Sequence, residues 1–191
     1  MTPPFFVEQP DIVTERLLLR KLSPDDAPAV FEYGSRDAVT RNVLFPQHES
    51  LADSEAFLAK IFDQKGIEFG VVWGIVLKEN GKLIGTIGLH HINLENKRLE
   101  VGYALHDDYW NKGIVTEATK ALIDSVYSNT TINRIEALCV SDHVRSYRVM
   151  EKAGMQFEGI LRQASLMKSG LCDMRIYSIL REDYARGTSS N

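Results

Sequence analysis

Tyr109-Trp110-Asn111-Lys112-Gly113-Ile114-Val115-Thr116-Glu117-Ala118 is the stretch on which the reading of this chain turns. A strand-like segment, Leu99 to Leu105, precedes it, and a helix-like segment follows. A tight polar turn with one glycine at a helix N-terminus leaves several backbone N–H groups unpaired. Those groups and the positive end of the helix dipole suit a phosphate or pyrophosphate. One glycine near a helix start is weak evidence alone; its neighbours give it weight.

Working outward, Arg16-Leu17-Leu18-Leu19-Arg20 predicts a first strand. Ser23-Pro24-Asp25-Asp26 predicts a helix start, with Ser as N-cap, Pro in the first turn and acids beside the dipole. Ser50-x-x-Asp53 predicts a second start, and the pairs Phe57/Ile61 and Leu58/Phe62 carry helical spacing to about Lys65. Val71 to Leu77 and Leu83 to Ile92 predict two strands of a hairpin turning at Asn80-Gly81, with a third strand, Arg98 to His106, beside them. Ile114 to about Tyr127 predicts a helix and Arg134 to Val140 a strand. Val144, Tyr147, Met150 and Ala153 mark a helix capped by Gly154, and Met155 to Arg162 and Cys172 to Leu180 are final strands flanking Lys168-Ser169-Gly170. The expected fold is α/β, a mixed, largely antiparallel sheet of about seven strands with helices on both faces. The glycine turn follows the fourth strand and no G-x-G-x-x-G is present, so the pattern is not Rossmann.

The 191 residues suit one domain, 1–191, with loose ends at Met1 to Pro10 and Arg186 to Asn191. A net charge of −4 gives no basic field to draw the chain to nucleic acid. No run of 18 apolar residues spans a membrane. Cys139 and Cys172 lack metal-type spacing and, with no signal peptide evident, read as free thiols in a cytoplasmic, reducing compartment. Cys139, in an apolar strand, reads as core and not as a nucleophile.

This order of elements resembles the GNAT family of acyl-CoA-dependent N-acyltransferases, and within it the RimJ/RimL branch that acetylates N-termini of ribosomal proteins. The resemblance spans about Thr14 to Tyr184. It rests on Thr14-Glu15-Arg16-Leu17-Leu18-Leu19-Arg20, Ile84-Gly85-Thr86-Ile87-Gly88-Leu89, Glu100-Val101-Gly102-Tyr103, Trp110 to Ala118, Asn133-Arg134-Ile135-Glu136-Ala137, Ser146 with Glu151-Lys152-Ala153-Gly154, and Glu158-Gly159. The family's cofactor motif, Arg/Gln-x-x-Gly-x-Gly/Ala, falls on Trp110 to Val115, where Gly113 matches strictly. Val115 replaces a small residue and brings bulk toward the pyrophosphate. The resemblance implies acetyl-CoA as co-substrate and no metal. It places the phosphate donors on the backbone of Asn111, Lys112, Gly113, Ile114, Val115 and Thr116. Tyr103, Ala104 and Leu105 would pair with the pantetheine arm by strand addition, and His143 stands in the cofactor region where the family has asparagine.

Acyl transfer from a thioester to an amine needs a neutral amine, a stabilised oxyanion and a protonated leaving thiolate. Glu100 is the candidate base. By strand alternation it shares a face with Gly102 and Ala104, while Leu99, Val101, Tyr103 and Leu105 share the other; the alternative is a surface charge. The family's tyrosine acid is replaced by Met150, and in the RimJ/RimL branch Ser146 takes that role; its alternative is a helix-surface serine. An α-amine with a pKa near ~8 is about a tenth neutral at pH 7, so it needs only a weak base. His90 and His91, adjacent on a strand, face opposite ways and form no metal pair there. Glu117 reads as structural, in a helical turn where the dipole favours acids. Arg145, Arg148 and Lys152 form a solvated face or meet the adenosine 3′-phosphate, and the loop Thr40 to Glu49 shapes the substrate side.

The expected function is transfer of an acetyl group to a primary amine, foremost a protein N-terminus such as a ribosomal one, by a monomer or homodimer. The alternatives are a small-amine acetyltransferase acting on a polyamine, aminoglycoside or amino acid, and a non-catalytic acyl-CoA sensor. A nucleotide-binding protein lacks its P-loop Gly-Lys-Ser/Thr here.

Overall fold

The computed structural model describes residues 2–63 and 70–188. Eight strands form one sheet in the order β1-β2-β3-β4-β5-β6-β8-β7. They are β1 (Ile12–Val13), β2 (Leu17–Lys21), β3 (Val71–Leu77), β4 (Leu83–Asn93), β5 (Arg98–Leu105), β6 (Arg134–Val140), β7 (Gln156–Met167) and β8 (Gly170–Leu180). The helices are α1 (Pro4–Glu8), α2 (Ala27–Gly34), α3 (Asp37–Thr40), α4 (Leu51–Asp63), α5 (Ile114–Asn129), α6 (Val144–Lys152) and α7 (Arg181–Thr188). Neighbours are antiparallel except β5 and β6, which run parallel.

The local signals act as expected. Asp26 accepts the Ser23 N–H at 2.8 Å and both Arg20 Nη atoms at 2.8 and 2.7 Å, fixing a short 3-10 turn that leads into α2. Asp53 accepts the N–H groups of Glu49 and Ser50 at 2.9 and 2.8 Å, opening α4; its predicted end near Lys65 lies outside the described residues. Gly81, at φ 70°, turns the β3–β4 hairpin, and Asn80 Oδ1 accepts the Lys82 N–H at 3.0 Å.

Apolar clusters lie on both faces of the sheet. One buries Leu122, Val126, Trp73, Ile87 and Val101 beneath α5 and α6, and the other buries Val30, Tyr33, Leu58 and Val76 beneath α2 and α4. The sheet has eight strands where about seven were expected, because the two-residue β1 pairs with Leu18 and Leu19. The expected loose N-terminus is a second correction. Phe5 and Phe6 are each 4% exposed, Phe5 lies 5.8 Å from the Trp73 ring, and Trp73 Nε1 donates to Pro10 O at 3.0 Å. A single helical turn carries no periodicity, so only the docking of two aromatic rings reveals it. At the other end, α7 carries ordered backbone through Arg186 to Thr188. Its Arg181 donates to the carbonyls of Tyr127, Thr130 and Ile132 at 2.7–2.9 Å.

Replacing Phe5 with Ala should therefore destabilise the protein by about 3 kcal/mol, the usual cost of emptying a buried phenylalanine site. Urea denaturation measures it; an unchanged midpoint would mean that α1 contributes nothing to the core.

Candidate active site

β5 and β6 are paired only at their beginnings, Arg98–Glu100 against Arg134–Glu136. Beyond Glu100 the strands diverge, and among the described residues Val101 to Leu105 have no strand partner on the β6 side. The wedge between them belongs to a cleft of about 1570 Å³, lined by β5 from Glu100 to Leu105, by Leu138 and Cys139 of β6, by the turn at Trp110, Asn111 and Gly113, and by one side of α6. The volume exceeds that of most single-ligand pockets, which are roughly 300–1,000 Å³, and leaves room for two substrates.

The turn at one end is built for an anion. Asn111 and Gly113 adopt positive φ, 61° and 75°, which curls the chain into α5. The N–H groups of the first helical turn have no intrahelical acceptor. Arg16, just before β2, holds this turn from behind. Its Nη1 donates to Lys112 O at 2.9 Å, and its Nε and Nη2 both reach Glu117 Oε2 at 2.6 Å. Across a trans peptide the C=O and the next N–H point in opposite directions. Drawing the Lys112 carbonyl toward Arg16 therefore turns the Gly113 N–H the other way. Glu117 also accepts from the Thr14 hydroxyl at 2.6 Å and the Arg16 N–H at 3.0 Å, so its role here is to tie β2 to α5.

Of the residues expected around a cofactor, Tyr103, Ala104, Leu105, Asn111, Gly113, Ile114, Val115, Thr116 and His143 all line the cleft. Lys112 differs: its ammonium lies 5.2 Å from the centre of the Tyr109 ring, and its carbonyl faces Arg16. Val115 is 9% exposed and belongs to the core cluster, so its bulk is directed largely into the protein. His143 heads α6, and burial pushes its pKa below the ordinary histidine value, which keeps the ring neutral at pH 7. Arg145, Arg148 and Lys152 are all exposed, and the Arg145 guanidinium also stacks 4.3 Å from the Trp110 ring. Trp110 Nε1 donates to Leu105 O at 2.9 Å, so the stack braces the end of β5. Lys152 lines the cleft and also a small hollow with Gly113, Thr116 and Lys120.

Glu100 and Ser146 approach this cleft from opposite faces of the sheet. Glu100 is the last residue of β5 paired with β6, and its carboxyl is pushed above the ordinary value chiefly by burial. The charge of His91 opposes that rise, and Glu136 adds to it. His90 is directly across from Glu100, and its ring lies over the bare backbones of Gly88 and Gly102. A Cβ on Gly88 would fall 3.0 Å from His90 Nε2. His91 has φ 49° at an irregularity in the β4–β5 register, so the expected strict alternation fails and both histidines line the cleft.

Ser146 is buried in the first turns of α6. Tyr103 Oη lies 3.1 Å from Ser146 O and 3.1 Å from Ser146 Oγ. The phenol donates to the carbonyl, which has no proton of its own, and so can accept from the serine hydroxyl. This pairing spans 43 residues and has no signature in the sequence. Burial pushes the neighbouring Cys139 thiol up to about 11, leaving it protonated and unreactive. Met150, in place of the family tyrosine, is 1% exposed within the core. Asp173 closes the hairpin irregularity by accepting the Gln163 N–H at 2.8 Å. Among the described residues, His106, Asp107 and Asp108 bring three possible metal ligands within 4.8 Å of one another. His106 Nδ1 already accepts the Asp108 N–H at 3.2 Å, and Arg36 pairs with both carboxylates.

Comparison with known proteins agrees with this fold. Residues 16–156 match the acetyltransferase (GNAT) domain family, and the chain belongs to that family. It is 32% identical over 175 residues to the uncharacterized N-acetyltransferase YoaA of Bacillus subtilis, covering 90% of this chain and 97% of that one. It is 31% identical over 104 residues to the ribosomal-protein-serine acetyltransferase of Escherichia coli, 54% of this chain and 58% of that one. The crystal structure of a GNAT acetyltransferase from Bacillus anthracis superposes with a TM-score of 0.80 at 30% identity, over 91% of this chain and 99% of that one. The protein is an N-acetyltransferase with a mixed α/β GNAT fold. The wedge between β5 and β6 and the Gly113 turn present an unpaired strand edge and a set of N–H donors within one cleft.

If Arg16 orients the turn, replacing it with Ala should weaken acetyl-CoA binding about tenfold while kcat at saturation changes little. Calorimetric titration and initial rates separate the two; an unchanged Kd would mean that the turn holds its shape without Arg16.

Proposed function

We propose that this acetyltransferase moves an acetyl group from acetyl-CoA to a protein N-terminal α-amine by direct attack within a ternary complex. The observation that carries the reading is the common lining of one cleft by the Gly113 turn, the unpaired β5 edge, Glu100 and the Tyr103–Ser146 pair. The turn holds the pyrophosphate on its N–H groups, and Tyr103 to Leu105 receive the pantetheine arm as an added strand. The acetyl group is thereby held at the point where β5 and β6 part, with Glu100 beside the amine.

Glu100 takes a proton from the attacking amine, directly or through one water. The nitrogen bonds to the acetyl carbon, the carbon–sulfur bond breaks, and Ser146 gives its hydroxyl proton to the leaving sulfur while water in the open cleft returns a proton to the serine oxygen and Glu100 releases the amine's proton to solvent. Tyr103 keeps the Ser146 hydroxyl oriented. A carboxylate suffices as base because an α-amine near pKa ~8 is already about a tenth neutral at pH 7. The similarity to a ribosomal-protein-serine acetyltransferase supports a protein acceptor.

With acetyl-CoA and a Ser-Ala-beginning peptide, Glu100→Gln should lower kcat by about a hundredfold, within the usual range for general-base loss. Glu100 acts as the carboxylate, so kcat should fall as pH drops through its pKa. Burial raises that pKa, so the limb lies above the ordinary ~4.3, and Glu100→Gln should abolish it. A limb that persists in the variant would remove Glu100 from the reaction. Ser146→Ala should lower kcat about tenfold with little change in KM for acetyl-CoA; an equal loss in Tyr103→Phe alone would transfer the acid role to the phenol. Acetyl-CoA binding without turnover on any amine would favour a sensor over an enzyme.

A further inference from the structure

The acceptor end of the cleft has a chemical character of its own. On the face of the sheet that carries Glu100, the cross-strand row Val72, Gly88 and Gly102 forms the floor, with the His90 ring lying over the two glycines, and the row His90 and Glu100 comes next to it. Val72 is two strand spacings, about 10 Å, from Gly102. Over this floor stand Val43, Leu44 and Phe45 of the loop after α3, and Phe57 and Ile61 of α4. The Phe45 and Phe57 rings lie 5.2 Å apart, and both are only partly buried, as are Val72 and Ile61. Leu44 is 78% exposed. This is an apolar, aromatic wall left open within the cleft and continuous with the carboxylate that faces the amine.

The charges there are few. Among the described residues the carboxylates lining the cleft are Glu49, Asp53 and Glu100. Asp53 is occupied by the N–H groups of Glu49 and Ser50 and by the Ser50 hydroxyl. Glu100 is the base, and Lys60 lines the same side as Glu49. A polyamine or aminoglycoside needs several unengaged acids, and a lysine ammonium beside them opposes it. A single amine next to an apolar side chain meets both halves of the site.

We propose that the acceptor is a monoamine flanked by an apolar or aromatic side chain, which lies against Phe45, Phe57, Ile61 and Val72 while its amine faces Glu100. The inference deepens the amine-acetylation reading and rests on it. Two sources present this chemistry: a peptide N-terminus with an apolar residue beside the amine, and a free arylalkyl amine.

The test measures thiol release from acetyl-CoA by the wild-type protein. The acceptors are peptides differing only at the first residue (Phe, Leu, Ser, Gly, Asp), together with phenethylamine, ethylamine and spermidine. Phe and Leu peptides should exceed Gly and Asp peptides by about tenfold or more in kcat/KM, as an apolar pocket discriminates, and spermidine should be the poorest substrate. Phenethylamine above ethylamine, with inert peptides, would keep the apolar flank and assign it to a small amine. Turnover without preference, or preference for spermidine, would overturn the inference alone. Absence of turnover on every amine would overturn the amine-acetylation reading beneath it as well. Phe57→Ala should raise KM for the Phe peptide but not for acetyl-CoA. The exposed Leu44→Ser, which empties no core site, should act in the same direction, and an unchanged KM in both would place the side chain elsewhere.

Discussion

The parting of β5 from β6 after Glu100 is the constraint on which the rest of the molecule depends. A parallel pair that continued to Leu105 would satisfy its own backbone and leave no wedge. Three pairs hold the strands together at one end, and beyond them β6 turns its other edge to β8 along its whole length, from Arg134 to Val140. The open β5 edge then carries N–H and C=O groups that need partners. Exposed strand edges attract further strands, and an extended, amide-bearing arm meets that demand.

Everything around the wedge keeps it open and aims groups into it. Trp110 fastens the end of β5 through the Leu105 carbonyl and is itself covered by Arg145 of α6. Arg16 and Glu117 join β2 to the start of α5 and fix the peptide at Lys112 and Gly113. Tyr103 links β5 to α6 across the gap through Ser146. Each contact crosses between elements distant in sequence, so the closed fold, and not any one segment, sets the shape of the site. Burial then sets the chemistry. It raises the pKa of the Glu100 carboxyl, lowers that of His143 and leaves Cys139 a protonated thiol.

The elements themselves were largely legible in the residues. Alternation and turn chemistry predicted β3, the Asn80-Gly81 turn and β6, since these signals act within a few residues of one another. The glycine turn was legible in its own residues, while Ser146 stood out only through a resemblance spread over several short stretches, and its burial was not foreseen. What escaped was set at long range. The docking of Phe5 and Phe6 on Trp73, the grip of Arg16 on Lys112, the Tyr103–Ser146 bond and the Arg145–Trp110 stack join positions whose nearness only the fold creates. The His90–His91 pair misled for a local reason: one left-handed residue at position 91 breaks the period of two. The apolar wall of Phe45, Phe57, Ile61 and Val72 was foreshadowed only in part, as a loop expected to shape the substrate side.

The most direct test of the account is the steady-state rate pattern when acetyl-CoA and an N-terminal peptide are varied against one another. Direct attack in one cleft predicts reciprocal plots that intersect, with thiol release that requires the peptide. Parallel lines, or acetyl transfer to the protein in the absence of peptide, would contradict it: the amine would not meet the thioester at Glu100, and a residue of the chain would carry the acetyl group between two separate steps.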